Sequence, residues 1–307
     1  PPRPRAHPHK QTKNCRHMED KTDKSEILST QEKVDMAVRL IRSVVSQHNC
    51  FLAFSSGKDS CVLEFLAKEA GAKVRMVHNV TTIDPEGTLS FAVKHHCELR
   101  RNKRSFLDLV EQKGFPTMFR RFCCEELKER YIDNYGIFGI RKGESVKRAK
   151  CYSEFDDVYY YTKKIFTNRF FPMLLFTDED IQNIVNEHDI EMHPIYYDAQ
   201  GKFCVDRRLG CIGCPLQGDR GKLDYLEYPI LLKQVLRRGI LFHQRQGRTE
   251  YDAALNLVYN LFYSNHGYEK FQQTYQGLFD TDPWEILENY FFLDREDVMR
   301  KLPKPKF

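Results

Sequence analysis

The chain has 307 residues, 41% of them hydrophobic and 30% charged, with a formal net charge of +5. This is the composition of a soluble globular protein, long enough to bury a sizeable core as one large domain or as a domain with an appended lobe. No apolar run can span a bilayer and the N-terminus has no apolar signal region, which speaks against a membrane partner and for a cytoplasmic location; the mild basicity fits an anionic ligand and says little for nucleic acid.

In chain order, residues 1–28 are rich in Pro, Lys, Arg and His without apolar periodicity and read as a disordered tail. Ser29 and Glu32 form a capping box that opens a helix with an apolar stripe of Ala37, Leu40, Ile41, Val44 and Val45. Phe51 to Ser60, F-L-A-F-S-S-G-K-D-S, follows as a short apolar strand, a tight polar turn and a helix start. Val62, Leu63, Phe65 and Leu66 continue that helix, and Gly71 stops it. Such a unit aims unsatisfied backbone N–H groups at one spot, at the positive end of the helix, and so offers a seat for a phosphate or sulfate. Lys58 adds a point charge; Ser55, Ser56 and Ser60 add hydroxyls. The spacing is not that of a Walker loop, because Leu52 and Asp59 stand where that motif needs Gly and Ser or Thr.

A second, buried strand is expected over Lys73–Val80. The T-T-I-D-P-E segment after it predicts a helix capped by Asp84, with Pro85 at its first position, running to about His96. A further helix is expected over Ser105–Gln112 and a third strand over Tyr135–Ile140. The F-F-P-M-L-L-F segment reads as a short strand or apolar lead-in. Thr177 then caps a helix carrying Ile181, Ile184, Val185 and His188 on one face. An irregular stretch holds Cys204, Cys211 and Cys214, and from about Lys222 the chain reads as helical and aromatic. Alternating strands and helices predict an α/β fold, a parallel sheet with helices on both faces. The domain reading is a tail over 1–28, a nucleotide-binding domain over 29–220 and a helical C-terminal lobe over 221–307.

The sequence holds ten cysteines. Without a secretory signal they argue against a disulfide framework and for a reducing compartment. Cys50, Cys61 and Cys97 fit the core as small hydrophobes. Cys123 and Cys124 are adjacent, and Cys211 and Cys214 form C-I-G-C before Pro215. Together they are four soft ligands, suited to an iron–sulfur cluster or to tetrahedral zinc. Cys204 and Cys151 are competing ligands. Arg141, Lys147 and Arg148 follow a strand end, where ligands sit in open α/β sheets, and arginine suits bidentate contacts to phosphate or sulfate. Asp59 and Asp84 are candidates to orient a ribose or a magnesium ion. The basic runs Arg100–Arg104 and Arg237–Arg248 read as solvated faces.

These motifs taken together resemble the phosphoadenylyl-sulfate (PAPS) reductase family, in the adenine nucleotide alpha-hydrolase-like (PP-loop ATP pyrophosphatase) superfamily. Ser55-Ser56-Gly57-Lys58-Asp59-Ser60 is similar to its S-G-G-K-D-S loop, with Ser56 in place of the first Gly. C-C-x-x-L-K is met by Cys123, Cys124, Leu127 and Lys128. G-x-R-x-x-E-S-x-x-R is met by Gly139, Arg141, Glu144, Ser145 and Arg148. A looser match joins Pro172, Thr177, Asp180 and Ile181, with Phe176 replacing a Trp. The resemblance spans roughly residues 50–220. It implies a 4Fe–4S cluster on the four cysteines, with zinc as the alternative. It also implies an adenine nucleotide, ATP or a sulfonucleotide, held by the loop with Asp84, Arg141, Ser145 and Arg148, with Mg as a possible companion. The reaction implied is sulfonucleotide reduction or ATP-dependent sulfur transfer, with a thiol or electron-donor protein as partner. The related sulfurtransferase of DNA phosphorothioate modification would instead bring DNA-modification partners, and a non-catalytic zinc module is the third reading. The family's catalytic cysteine in an E-C-G context has no counterpart after Cys214, so the nucleophile is left unassigned.

Overall fold

Five short strands form one parallel sheet in the computed structural model, which describes residues 28–117, 120–129, 135–144, 168–217, 224, 225, 227–249, 296 and 300. The elements in order are α1 Thr30–Gln47, β1 Phe51–Ala53, α2 Lys58–Glu69, β2 Arg75–Val80, α3 Thr88–Lys94, β3 Glu98–Arg101 and α4 Phe106–Lys113. They are followed by α5 Phe122–Cys124, β4 Tyr135–Ile137, β5 Asn168–Phe170, α6 Asp178–Glu187 and α7 Pro229–Gln244. A π-helical turn, Glu125–Glu129, prolongs α5. The strand order is β3-β2-β1-β4-β5 with every pairing parallel. Parallel neighbours need a crossover, and α2 supplies it between β1 and β2 and α3 between β2 and β3. The order reverses between β1 and β4, and such a reversal opens a crevice at the carboxyl ends of those two strands.

The expected α/β architecture is present, with local departures. The second strand starts two residues later than its apolar pattern, at Arg75. β3, E-L-R-R, was expected to be part of a solvated basic run. It is a strand pairing only with β2, and its charges pair locally: Glu98 takes Arg75 at 2.8 Å and Arg100 at 3.1 Å. Asp84 does not cap α3. That helix begins at Thr88 behind Gly87, whose left-handed φ of +80° makes the turn, while Asp84 folds back onto Thr81.

Leu52, Ile137 and Phe170 of the sheet share a core with Ile41 and Val44 of α1, Leu63 and Leu66 of α2, and Ile181 and Ile184 of α6, all essentially buried. Each such side chain contributes about 1.5–3 kcal/mol relative to exposure. Inside this layer lies one buried ion pair. Lys33 of α1 reaches Asp180 of α6 at 2.7 Å, with both side chains about 5% exposed (4% and 5%). Asp180 also accepts from Thr30 Oγ1 at 2.6 Å and from the N–H and hydroxyl of Thr177. The expected Ser29–Glu32 box therefore forms, and the expected Thr177 cap is part of a second box with Asp180 that is locked to a neighbouring helix. Elsewhere α7 packs on α4, where Arg238 and Arg245 both pair with Glu111.

Candidate functional site

The loop after β1 occupies one side of the crevice. Phe54 N–H still donates to Val77 C=O (2.9 Å), so the ladder holds to the loop's first residue. Ser56 then turns the chain with φ +62°. A side chain in this left-handed region is strained; it is fully buried, and its Oγ donates to Thr88 C=O at 3.1 Å. Gly57 is the N-cap of α2 and offers no side chain to the first turn. Ser60 Oγ donates to Gly57 C=O (2.8 Å), and Ser55 Oγ lies 3.3 Å from it. Lys58 is buried, with its Nζ 3.5 Å from Arg207 C=O and 5.9 Å from the centre of the Tyr196 ring. Burial lowers its pKa; Asp59 and Asp178 oppose that, and Arg141 and Arg208 add to it.

The other side of the crevice is the loop after β4. Gly139 is needed there because a Cβ would stand 2.8 Å from Asp59 C=O, a contact real side chains do not make. That close approach brings Arg141 across the crevice. Its Nε donates to Asp59 Oδ1 at 2.6 Å and its Nη2 to Asp178 Oδ1, in the first turn of α6, at 2.7 Å. The guanidinium is buried, with its side chain 5% exposed. Arg141, expected to contact an anion directly, is thus clamped between two carboxylates and fixes Asp59 beside the loop. Ser145, Arg148, Lys147 and Cys151 lie outside the described residues, so the structure brings together Ser55 to Ser60 and Arg141 only. Asp84 sits apart from the loop. It accepts from Thr81 N–H (2.8 Å) and Thr81 Oγ1 (2.6 Å).

Thr81 leads to the cysteines. Cys211 Sγ lies 3.5 Å from Thr81 Oγ1, and Ile212 N–H donates to Ile83 C=O at 2.9 Å, so the C-x-x-C turn is docked on the loop after β2. Cys123, Cys124, Cys211 and Cys214 all line one cavity of about 190 Å³, with Lys128 and Arg208 in the same wall. Gly213, at φ +69°, closes the turn beneath the Tyr225 ring, where a Cβ would lie 2.0 Å from Cζ. Cys123 donates to Cys124, and this hydrogen bond pulls the Cys124 thiol down to about 6 and raises that of Cys123. Burial pushes Cys214 up. Lys128 lines the same wall, and Cys211 raises its pKa against the opposing effect of desolvation. Cys204 takes no part in this wall; its thiol faces Lys202 C=O at 3.5 Å.

Among the described residues no three Cys, His, Asp or Glu side chains gather tightly enough for one metal ion. The four sulfurs surround a space rather than a point. Soft donors around a space, with the Lys128 ammonium beside them, are a donor set that fits an anionic metal–sulfur group. Two contributors to this region carried no sequence motif. Tyr196 accepts from the Lys58 and Leu209 N–H groups, and Arg208 shares the cavity wall. The only available signal for Arg208 was a charged pair just before the C-x-x-C.

A family model described as the phosphoadenosine phosphosulfate reductase domain matches residues 49–217. No curated protein matches the chain in sequence. Among solved structures, that of phosphoadenylyl-sulfate (PAPS) reductase from Candida auris, a phosphate complex, is similar at 13% identity, covering 54% of this chain and 90% of that one with a TM-score of 0.39.

Proposed function

The chain belongs to the phosphoadenosine phosphosulfate reductase domain family, hence to the adenine nucleotide alpha-hydrolase-like superfamily, and from that premise we propose that it is an enzyme acting on a sulfonucleotide. The observation that carries this reading is the joining of two sites. A phosphate-type loop lies at the strand-order reversal, and a four-cysteine cavity begins a few residues from the backbone that Lys58 touches.

In this reading the first turn of α2 and the hydroxyls of Ser55 and Ser60 receive the phosphates of an adenine nucleotide, and Lys58 supplies charge from a desolvated position. Asp59, held by Arg141, orients the ribose or a magnesium ion. A 4Fe–4S cluster on Cys123, Cys124, Cys211 and Cys214, when bound, would supply a redox-capable, charge-spreading group next to the substrate. Lys128 balances the negative charge of those thiolates. Thr81 holds Cys211 through its hydroxyl, a hydrogen bond of the kind that tunes such centres.

Anaerobic purification followed by absorption spectroscopy and iron, sulfide and zinc analysis tests the cavity. About four iron and four sulfide per chain are expected, and both are expected to be lost in Cys211→Ala. Zinc alone, or no metal, would overturn the cluster. Turnover dependent on a sulfonucleotide is the expected activity; turnover dependent on ATP instead would move the assignment to ATP-driven sulfur transfer.

A further inference from the structure

The segment Arg207–Leu209 is fastened at both ends. Arg207 C=O lies 3.5 Å from Lys58 Nζ, and Arg207 Nη1 donates to the carbonyls of Ile195 (3.2 Å) and Tyr197 (2.6 Å). Leu209 N–H donates to Tyr196 OH at 3.1 Å, the same hydroxyl that takes the Lys58 N–H. Arg208 sits between these anchors. Its side chain is exposed and lines the cysteine cavity. Other arginines nearby have partners: Arg141 holds two carboxylates and Arg207 two carbonyls. Among the described residues no carboxylate pairs with Arg208, although it lines the same cavity as Lys128 and is felt by the buried Lys58 of the loop. Gathering like charges is unfavourable unless an anion comes between them. The proximity to Lys58 is felt, since Arg208 helps to depress the Lys58 pKa.

We propose that Arg208 selects the ligand: it contacts the anionic group beyond the loop-bound phosphate and so favours nucleotides that carry a sulfate or further phosphate there. This rests on the sulfonucleotide reading for its biological ligand, and the geometry argues for the second anion itself. A guanidinium presents a planar fork suited to bidentate contact with sulfate or phosphate. The anchors on either side fix the backbone at Arg208, so only its side chain remains to be ordered on binding.

Calorimetric titration of the full-length wild type, Arg208→Ala and Arg208→Lys with AMP, adenylyl sulfate and ATP tests this. Arg208→Ala is expected to lose about 10- to 100-fold in affinity for adenylyl sulfate and to stay within about twofold for AMP, with Arg208→Lys falling between. Unchanged melting curves would show that the fold is intact. An equal loss for AMP and adenylyl sulfate, or no loss for either, overturns the proposal. Should the wild type bind adenylyl sulfate no better than AMP, the sulfonucleotide reading fails. The comparison of ATP with AMP then decides about Arg208: a loss confined to ATP supports its role, and an equal loss or none removes it. A wild type that binds none of the three overturns both.

Discussion

The crevice at the strand-order reversal and the cysteine cavity are neighbours built in different ways. The crevice is held from beneath by the sheet and from the side by buried charge. Arg141 joins Asp59 to Asp178, and two residues along α6 Lys33 joins Asp180 to α1. Among the described residues the cavity has no strand under its C-x-x-C. It is closed by a short π-turn, a glycine turn and single hydrogen bonds that Cys211 and Ile212 donate to Thr81 and Ile83. Rigid elements give a site that exists before its ligand arrives. Turns held by single bonds give a site whose final geometry is set by what occupies it.

Removing a partner from the buried pair should hurt most. Asp180→Ala leaves the Lys33 ammonium buried beside an emptied site, so a loss of about 3–5 kcal/mol in denaturant unfolding is expected. The pair also predicts a pH dependence. Burial alone would raise the Asp180 pKa, but the hydrogen bonds from Lys33, Thr30 and Thr177 outweigh it and hold the carboxyl below its ordinary value. Its contribution is therefore complete above the unfolded carboxylate range and is lost as pH falls through the lower folded value. Stability of the wild type should fall along that acid limb, and Asp180→Asn should flatten it. A limb of equal slope in the variant would show that Asp180 is not its source.

At the cavity the corresponding weak point is steric. Gly213→Ala places a methyl into the Tyr225 ring, at about 1–3 kcal/mol for overpacking on top of about 1–2 kcal/mol for the left-handed backbone. Gly71→Ala, at φ +65° with open space around it, carries only the second cost. The difference between the two variants in urea unfolding measures the packing under the C-x-x-C turn. Equal losses would mean that Tyr225 gives way freely and that the cavity is looser than the crevice by more than its hydrogen bonding indicates.

The sequence made the crevice legible because its parts are local. Strand, turn and helix follow one another from Phe51 to Glu69, and the Ser29–Glu32 box and the Thr177 cap are each readable within four residues. The cavity was legible only as four cysteines in two distant segments; nothing local says that Arg208 joins them or that Tyr196 ties its segment to the loop. β3 was missed because an edge strand with one pairing partner can be polar, so Glu98, Arg100 and Arg101 show no apolar alternation. Asp84 was misread because an acidic residue before proline fits a helix cap as well as the turn it makes with Thr81; only the left-handed Gly87 decides between them, and glycine alone does not disclose its φ.

The smallest expected effect bears on the one place where the rigid side carries strain. Ser56 stands where the resembled loop has glycine, and it does adopt the conformation that glycine favours. Two effects oppose each other in Ser56→Gly. Relief of the left-handed side chain gains about 1–2 kcal/mol, while loss of the bond to Thr88 C=O costs about 0.5–1.5 kcal/mol, and glycine adds entropy to the unfolded chain. The variant should therefore lie within about 1 kcal/mol of wild type. Ser56→Ala keeps the strain and loses the bond, so it should be the less stable of the two by roughly the relief less glycine's entropic cost. Unfolding curves of the pair separate backbone from hydrogen bond without disturbing the rest of the loop. If the alanine variant is as stable as the glycine one, the strain of the left-handed turn at Ser56 is no larger than glycine's entropic cost, and the crevice is the more relaxed of the two regions.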